Sequence, residues 1–270
     1  NKSYRGGNEM GKVFLVGAGP GDIDLITVKG VKCIEQADVI LYDRLINKEL
    51  LEYAKEGVEL IYCGKLPDYH TLKQETINRF LVKHALKGKV VTRLKGGDPF
   101  VYGRGGEEAE ALSNHGIPFE IVPGITSGIA APAYAGIPVT HRDLSSTFAF
   151  VTGHRKDGEE EELRWESLAT GIDTLAIYMG VKNLPYICSM LRKYGKKKET
   201  PVALVHWGTT HTQQTVTGTL ETITDDVRKA EIQNPSMIIV GEVVNLRSKL
   251  NWFEKMSLDK QTTKTVVSAL

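Results

Sequence analysis

The chain has 270 residues, with 34 Lys or Arg against 33 Asp or Glu and a net charge of +1. A composition 41% hydrophobic and 25% charged can bury a core, which excludes a disordered chain, and the balanced charge argues against a general nucleic-acid binder. Glycine is the outlier: 27 residues against a usual ~7% predict many tight turns, or backbone that lies close to a ligand.

Residues 1–10 are polar, contain Gly6-Gly7 and lack an apolar centre, so they read as a disordered leader or an expression-vector remnant and not a secretory signal. No apolar run reaches the ~18–20 residues of a bilayer span. The runs 12–16, 38–42, 58–62 and 90–94 are short, apolar and rich in β-branched residues, and each predicts a strand ending in a polar or glycine-rich turn. Apolar residues at helical spacing predict helices over 22–37 and 71–86, and the strand 119–122 closes this half. Such alternation predicts a mostly parallel sheet with helices on both faces. A second set of strands is expected at 147–152, 174–179, 202–207, 213–219 and 237–243, with a polar segment, 220–234, joining the last two. Between the sets, Pro123, Pro132 and Pro138 alternate with Gly124, Gly128 and Gly136, which suggests a hinge. The expected division is therefore two α/β domains, 11–123 and 124–253, followed by a tail over 254–270. Glu159 to Glu162 end a charge run that reads as a solvated loop. Cys33, Cys63 and Cys188 are far apart and form no CxxC, so neither a disulfide framework nor a zinc site is expected, and a reducing cytoplasm suits them.

Three turns carry the chemistry. Gly17-Ala18-Gly19-Pro20-Gly21-Asp22 follows the first strand and invites a dinucleotide reading, with Asp43 at the next strand end as a ribose ligand. The fingerprint fails, because Asp22 replaces the third glycine and Pro20 fixes the backbone inside the loop. A carboxylate at that helix start occupies the place of a phosphate and suits an adenosine-type ligand without a pyrophosphate; Asp22 as a plain N-cap is the simpler alternative. The second turn, from Leu94 to Glu108, holds Gly96, Gly97, Gly103, Gly105 and Gly106 with Asp98 and Arg104. The third is Pro123-Gly124-Ile125-Thr126-Ser127-Gly128, where Thr126 or Ser127 either caps a helix or faces a ligand. All three follow strands and are expected at the carboxyl edge of the first sheet.

These turns, with Tyr42-Asp43-Arg44-Leu45 and Ala135-Gly136-Ile137-Pro138-Val139-Thr140-His141-Arg142, resemble the tetrapyrrole methyltransferase family. The likeness runs from about Lys12 to Phe253, and Leu-Lys-Gly-Gly-Asp-Pro-Phe followed by Gly-Arg-Gly-Gly-Glu-Glu is its most specific stretch. The resemblance implies two α/β domains, an active site in the cleft between them and a homodimer. It implies that S-adenosylmethionine donates methyl groups to C2 and C7 of uroporphyrinogen III, giving precorrin-2 through precorrin-1 for sirohaem or cobalamin synthesis. It places the donor contacts at Pro20, Gly96, Gly97, Asp98, Val101, Thr126, Ser127, Met179, Gly208 and Ser236. It places a proton acceptor at Asp43, a proton donor at Lys65, and no metal.

The family's Gly-Lys-Arg reads Gly64-Lys65-Leu66 here, and His206-Trp207-Gly208-Thr209 departs from a commoner Asn-Gly-Thr type. A polycarboxylate substrate calls for arginines, whose planar fork binds carboxylates bidentately, and Arg44, Arg104 and Arg142 lie in motif loops, as does Arg155. His141 is read either as a substrate contact or as a capping residue. Three other functions fit parts of the sequence: another precorrin methyltransferase of the same fold, a nicotinamide-dependent dehydrogenase built on Gly17-Ala18-Gly19 and Asp43, and a non-enzymatic binding module.

Overall fold

A computed structural model of the chain describes residues 10–64, 72–153 and 164–257. It divides into two compact units, Asn1–Thr126 and Ser127–Leu270.

Unit 1 is a five-stranded sheet of β1 (Lys12–Gly17), β2 (Val39–Tyr42), β3 (Glu59–Tyr62), β4 (Val90–Lys95) and β5 (Phe119–Val122), in the order β3-β2-β4-β1-β5. Every pairing is parallel, as the strand–helix alternation predicts. Both faces are covered, which is why these strands read as continuous apolar runs. Val13, Leu15, Leu41 and Val91 face α2 (Gln74–Leu86) and α3 (Gly105–Asn114). Phe14, Val16, Ile40 and Leu94 face α1 (Val28–Gln36) through Cys33 and Ile34. The path from β1 leads one way along the sheet to β2, and that from β4 leads the other way to β5. The connections therefore reverse direction between β1 and β4, which sets the turns after these strands side by side at the carboxyl edge, the usual ligand position in such sheets.

The helix expected over 22–37 is broken. Residues Ile23–Leu25 form a single 3₁₀ turn and α1 starts only at Val28. Ile26 and Thr27 are extended between them, and Thr27 Oγ1 accepts from Gly30 N at 2.9 Å as the cap of α1. Asp22 accepts from Asp24 N at 3.0 Å and caps the 3₁₀ turn.

Unit 2 opens with α4 (Ser127–Tyr134). Its sheet holds β6 (Phe148–Thr152), β7 (Thr174–Tyr178), β8 (Pro201–His206), β9 (Gln214–Thr219) and β10 (Ser236–Val240), in the order β6-β7-β10-β8-β9. Here the expectation of mostly parallel strands needs correction. Only β6 and β7 pair in parallel; β10 is antiparallel to β7 and β8, and β8 to β9. The short turn between β8 and β9 permits only a hairpin. One face packs Leu175, Ile177, Leu204 and Ile238 under α5 (Trp165–Gly171), α6 (Leu184–Lys193) and α7 (Ile223–Lys229). The other face packs Val205, Met237 and Ile239 with Val243, and its small residues Ala176 and Ala203 lie in the same cluster as Ala131 and Ala135 of the α4 segment. No helix among the described residues is long and apolar enough to cross a membrane.

Candidate active site

In unit 1 the turns after β1, β4 and β5 meet at the carboxyl edge, as expected. Gly19 and Gly97 exchange both backbone bonds, Gly97 N to Gly19 O at 2.7 Å and Gly19 N to Gly97 O at 3.2 Å. Both glycines have positive φ, +79° and +65°, which an L side chain resists. A Cβ on Gly17 would stand 2.6 Å from Gly124 Cα and Gly97 O, so three backbones pass side by side with no room for a side chain at Gly17 or Gly124. The Asp98 carboxylate locks this arrangement. Its oxygens accept from Phe100 N at 2.8 Å and from Gly124 N at 3.0 Å, tying the β4 turn to the β5 turn. Pro20, Gly96, Gly97, Asp98 and Val101 are half-buried here and Thr126 is buried. The rim offers bare backbone without a phosphate cradle, because a capped 3₁₀ turn stands where a helix N-terminus would have to be. This removes the support for a nicotinamide dinucleotide and fits an adenosine-type donor.

Asp43 follows β2 on the face of Leu41, facing α3. There it meets a buried set of charges that the sequence reading did not identify. Arg93 Nη2 donates to Asp43 Oδ1 at 2.7 Å, and Arg93 Nε to Glu108 Oε2 at 2.8 Å. Lys95 Nζ also binds Glu108, through Oε1. The side chains of Arg93, Lys95 and Glu108 are 2%, 3% and 0% exposed, whereas that of Asp43 is 32% exposed. Burial alone would lower the Arg93 pKa, but Asp43 and Glu108 outweigh it and the guanidinium is held above its ordinary value. Burial and Arg93 lower that of Lys95 against the pull of Glu108. The available signal was periodicity: Val91, Arg93 and Lys95 alternate onto one face of β4, and Glu108 stands one helical turn before the buried Leu112.

The two candidate arginines of unit 1 are exposed. Arg104 has φ +57° and forms the N-cap position of α3 without a capping side chain. Its guanidinium donates to Glu107 at 2.8 and 3.1 Å; that bond raises the Arg104 pKa and lowers the Glu107 pKa. Arg44 begins the turn after Asp43. Lys65 and Arg155, like the run Glu159 to Glu162, lie outside the described residues.

In unit 2 the candidates gather at one sheet edge. Met179 follows β7, Gly208 lies two residues past β8, and Ser236 opens the antiparallel β10 opposite His206. His206 Nδ1 lies 3.1 Å from Ser236 Oγ. Ser127 starts α4, where Gly128 N donates to Tyr178 Oη at 3.0 Å, next to Met179. Gly208 is required: a Cβ there would come within 2.8 Å of Ala131 on α4. Met179, Trp207 and Thr209 all carry positive φ, a cluster of backbone strain typical of functional edges. Arg142 is not brought to this edge. It lies in the turn closed by His141 and Ser145, whose Oγ lies 2.7 Å from Thr174 Oγ1 at the start of β7. His141 takes the capping role, its Nδ1 accepting from Asp143 N at 3.2 Å.

The family model of the tetrapyrrole (corrin/porphyrin) methylases matches residues 12–224. The chain is 74% identical over 236 residues to a uroporphyrinogen-III C-methyltransferase of Priestia megaterium, covering 87% of this chain and 99% of that protein. It is 66% identical over 252 residues to one from Bacillus subtilis, covering 93% and 98%. Among solved structures, a uroporphyrin-III C-methyl transferase of Thermus thermophilus complexed with S-adenyl homocysteine is similar at TM-score 0.75 and 40% identity, covering 87% of this chain and all of that one.

Proposed function

The chain belongs to the tetrapyrrole methylases, and on that premise we propose that it transfers methyl groups from S-adenosylmethionine to C2 and C7 of uroporphyrinogen III. The product is precorrin-2, reached through precorrin-1. The observation that carries this reading is a backbone rim without a phosphate cradle in the same sheet edge as an arginine-backed carboxylate, Asp43.

When bound, the donor supplies an electrophilic methyl on a sulfonium. The work left to the chain is positioning and charge control. Gly96, Gly97, Asp98, Val101, Thr126 and Pro20 from unit 1, with Ser127, Met179, Gly208 and Ser236 from unit 2, hold the donor. Arg44, Arg104 and Arg142 take substrate carboxylates; Arg142 stands in this group only as an arginine in a motif loop. Attack by an electron-rich pyrrole carbon leaves positive charge on the ring system, which loss of a proton relieves. Asp43 stabilises that charge or accepts the proton, and Lys65 is the proposed donor. A homodimer in the cytoplasm belongs to the same reading.

The test is incubation of the protein with S-adenosylmethionine and uroporphyrinogen III under reducing conditions, followed by mass measurement of the tetrapyrrole. Gain of two methyl groups supports the proposal. An unchanged macrocycle, with the donor intact, refutes it.

A further inference from the structure

Buried ion pairs are poor devices for stability, since desolvation costs as much as pairing returns. The set behind Asp43 is therefore notable for its position. Lys95, Glu108, Arg93 and Asp43 form one chain of alternating charge, neutral in sum, and only Asp43 reaches solvent. Arg93 Nη1 is buried without a hydrogen-bond partner among the described residues, a cost that a purely structural pair would not require. Arg93 has little freedom to move: Nε is fixed by Glu108, and Glu108 is fixed on its other oxygen by Lys95. The guanidinium thus projects from a rigid strand onto a single oxygen of Asp43.

We infer that Arg93 is a positioning residue for the reaction proposed above, acting through Asp43, and that Glu108 and Lys95 form the anchor that aims it. A flat macrocycle laid over Asp43 strips water from that carboxylate, and an isolated carboxylate would then swing away or take up a proton. Arg93 lies behind it, out of the ligand's reach, and supplies the opposite charge that water no longer provides. The arrangement fixes which oxygen of Asp43 remains available, since Oδ1 is engaged. It contributes nothing to holding the donor, whose proposed rim in unit 1 rests on backbone bonds and Asp98.

The test is a double-mutant cycle on the full chain. Arg93→Gln, Asp43→Asn and the double variant are assayed for methyl transfer to uroporphyrinogen III. Affinity for S-adenosylhomocysteine and the thermal midpoint are measured alongside. Arg93→Gln is expected to lower kcat by about 100-fold, with KM and S-adenosylhomocysteine affinity within about twofold of wild type. In the Asp43→Asn background the same substitution is expected to change kcat by no more than about twofold. Equal losses in both backgrounds overturn the inference, because Arg93 would then act without Asp43. If Arg93→Gln does not fold, the cycle is run with Arg93→Lys, which keeps the charge but loses the planar fork that addresses Glu108 through Nε and Asp43 through Nη2, and its kcat loss is likewise expected in the wild-type background alone. Glu108→Gln is expected to reproduce the kcat loss in the wild-type background alone. Failure of wild-type protein to methylate the substrate would count against the proposed function; methylation with an additive cycle would count against Arg93 only.

Discussion

Asp43 is half in water and half in a buried ion pair, and a substitution there separates chemistry from binding. Asp43→Asn keeps the shape and removes the charge, so turnover should fall by about 100-fold or more, while calorimetry with S-adenosylhomocysteine should give a wild-type affinity. Wild-type turnover would remove Asp43 from the mechanism. Arg104 sits in an exposed pair with Glu107, so Arg104→Ala should change fold stability by less than about 1 kcal/mol. Its expected effect is a raised KM for the macrocycle with the donor's affinity unmoved; equal losses in two separate titrations contradict a substrate role. Gly97 has φ +65° with only ordinary contacts around a hypothetical Cβ, at 3.5 Å from Thr126 Cα. Gly97→Val therefore strains the backbone and projects a side chain into the rim, and S-adenosylhomocysteine affinity should drop at least tenfold, more than for Gly97→Ala. At this scale the sequence revealed residues whose type is unusual for a turn, such as Gly96, Gly97 and Asp98. It did not reveal Arg93 and Lys95, because a cation at the end of an apolar run ordinarily marks where a strand meets water. Only the packing of Glu108 from α3 shows that it is buried.

Among elements, the three turns of unit 1 depend on backbone contact. A Cβ on Gly124 would overlap Gly97 O, and Gly17 is similarly confined. Gly124→Ala must push the β4 and β5 turns apart, at a cost of about 1–3 kcal/mol. The expected result is a lower thermal midpoint together with weakened donor binding; loss of neither would show that the turns are not mutually braced. The strands were legible because two-faced burial leaves continuous apolar runs, and the gathering of the turns followed from their places after β1, β4 and β5. Two features were not. The break in the helix over 22–37 turns on Thr27, which reads as an ordinary helical residue until its Oγ1 is seen to cap Gly30. The direction of β10 was hidden as well, since alternation along a strand reports which face is buried and is silent on polarity.

At the scale of the whole molecule, each unit carries its own core, with buried thiols at Cys33 and Cys63 in unit 1 and Cys188 in unit 2. Burial pushes Cys63 in unit 1 and Cys188 in unit 2 up to about 11 from an ordinary 9.0. Above pH 9 the unfolded chain releases thiol protons that the folded chain retains. The stability this contributes is therefore complete below pH 9 and is lost as pH rises towards 11. Thermal midpoints in reducing buffer should fall across that window, and less steeply in a Cys63→Ala/Cys188→Ala variant; an unchanged slope would assign the alkaline loss to other groups. The reciprocal bonds between Gly19 and Gly97 have a consequence for the protein at work. Those two turns hold each other through backbone bonds of their own, so ordering them around a guest costs little. Crystals grown with and without S-adenosylhomocysteine should superpose there within about 1 Å.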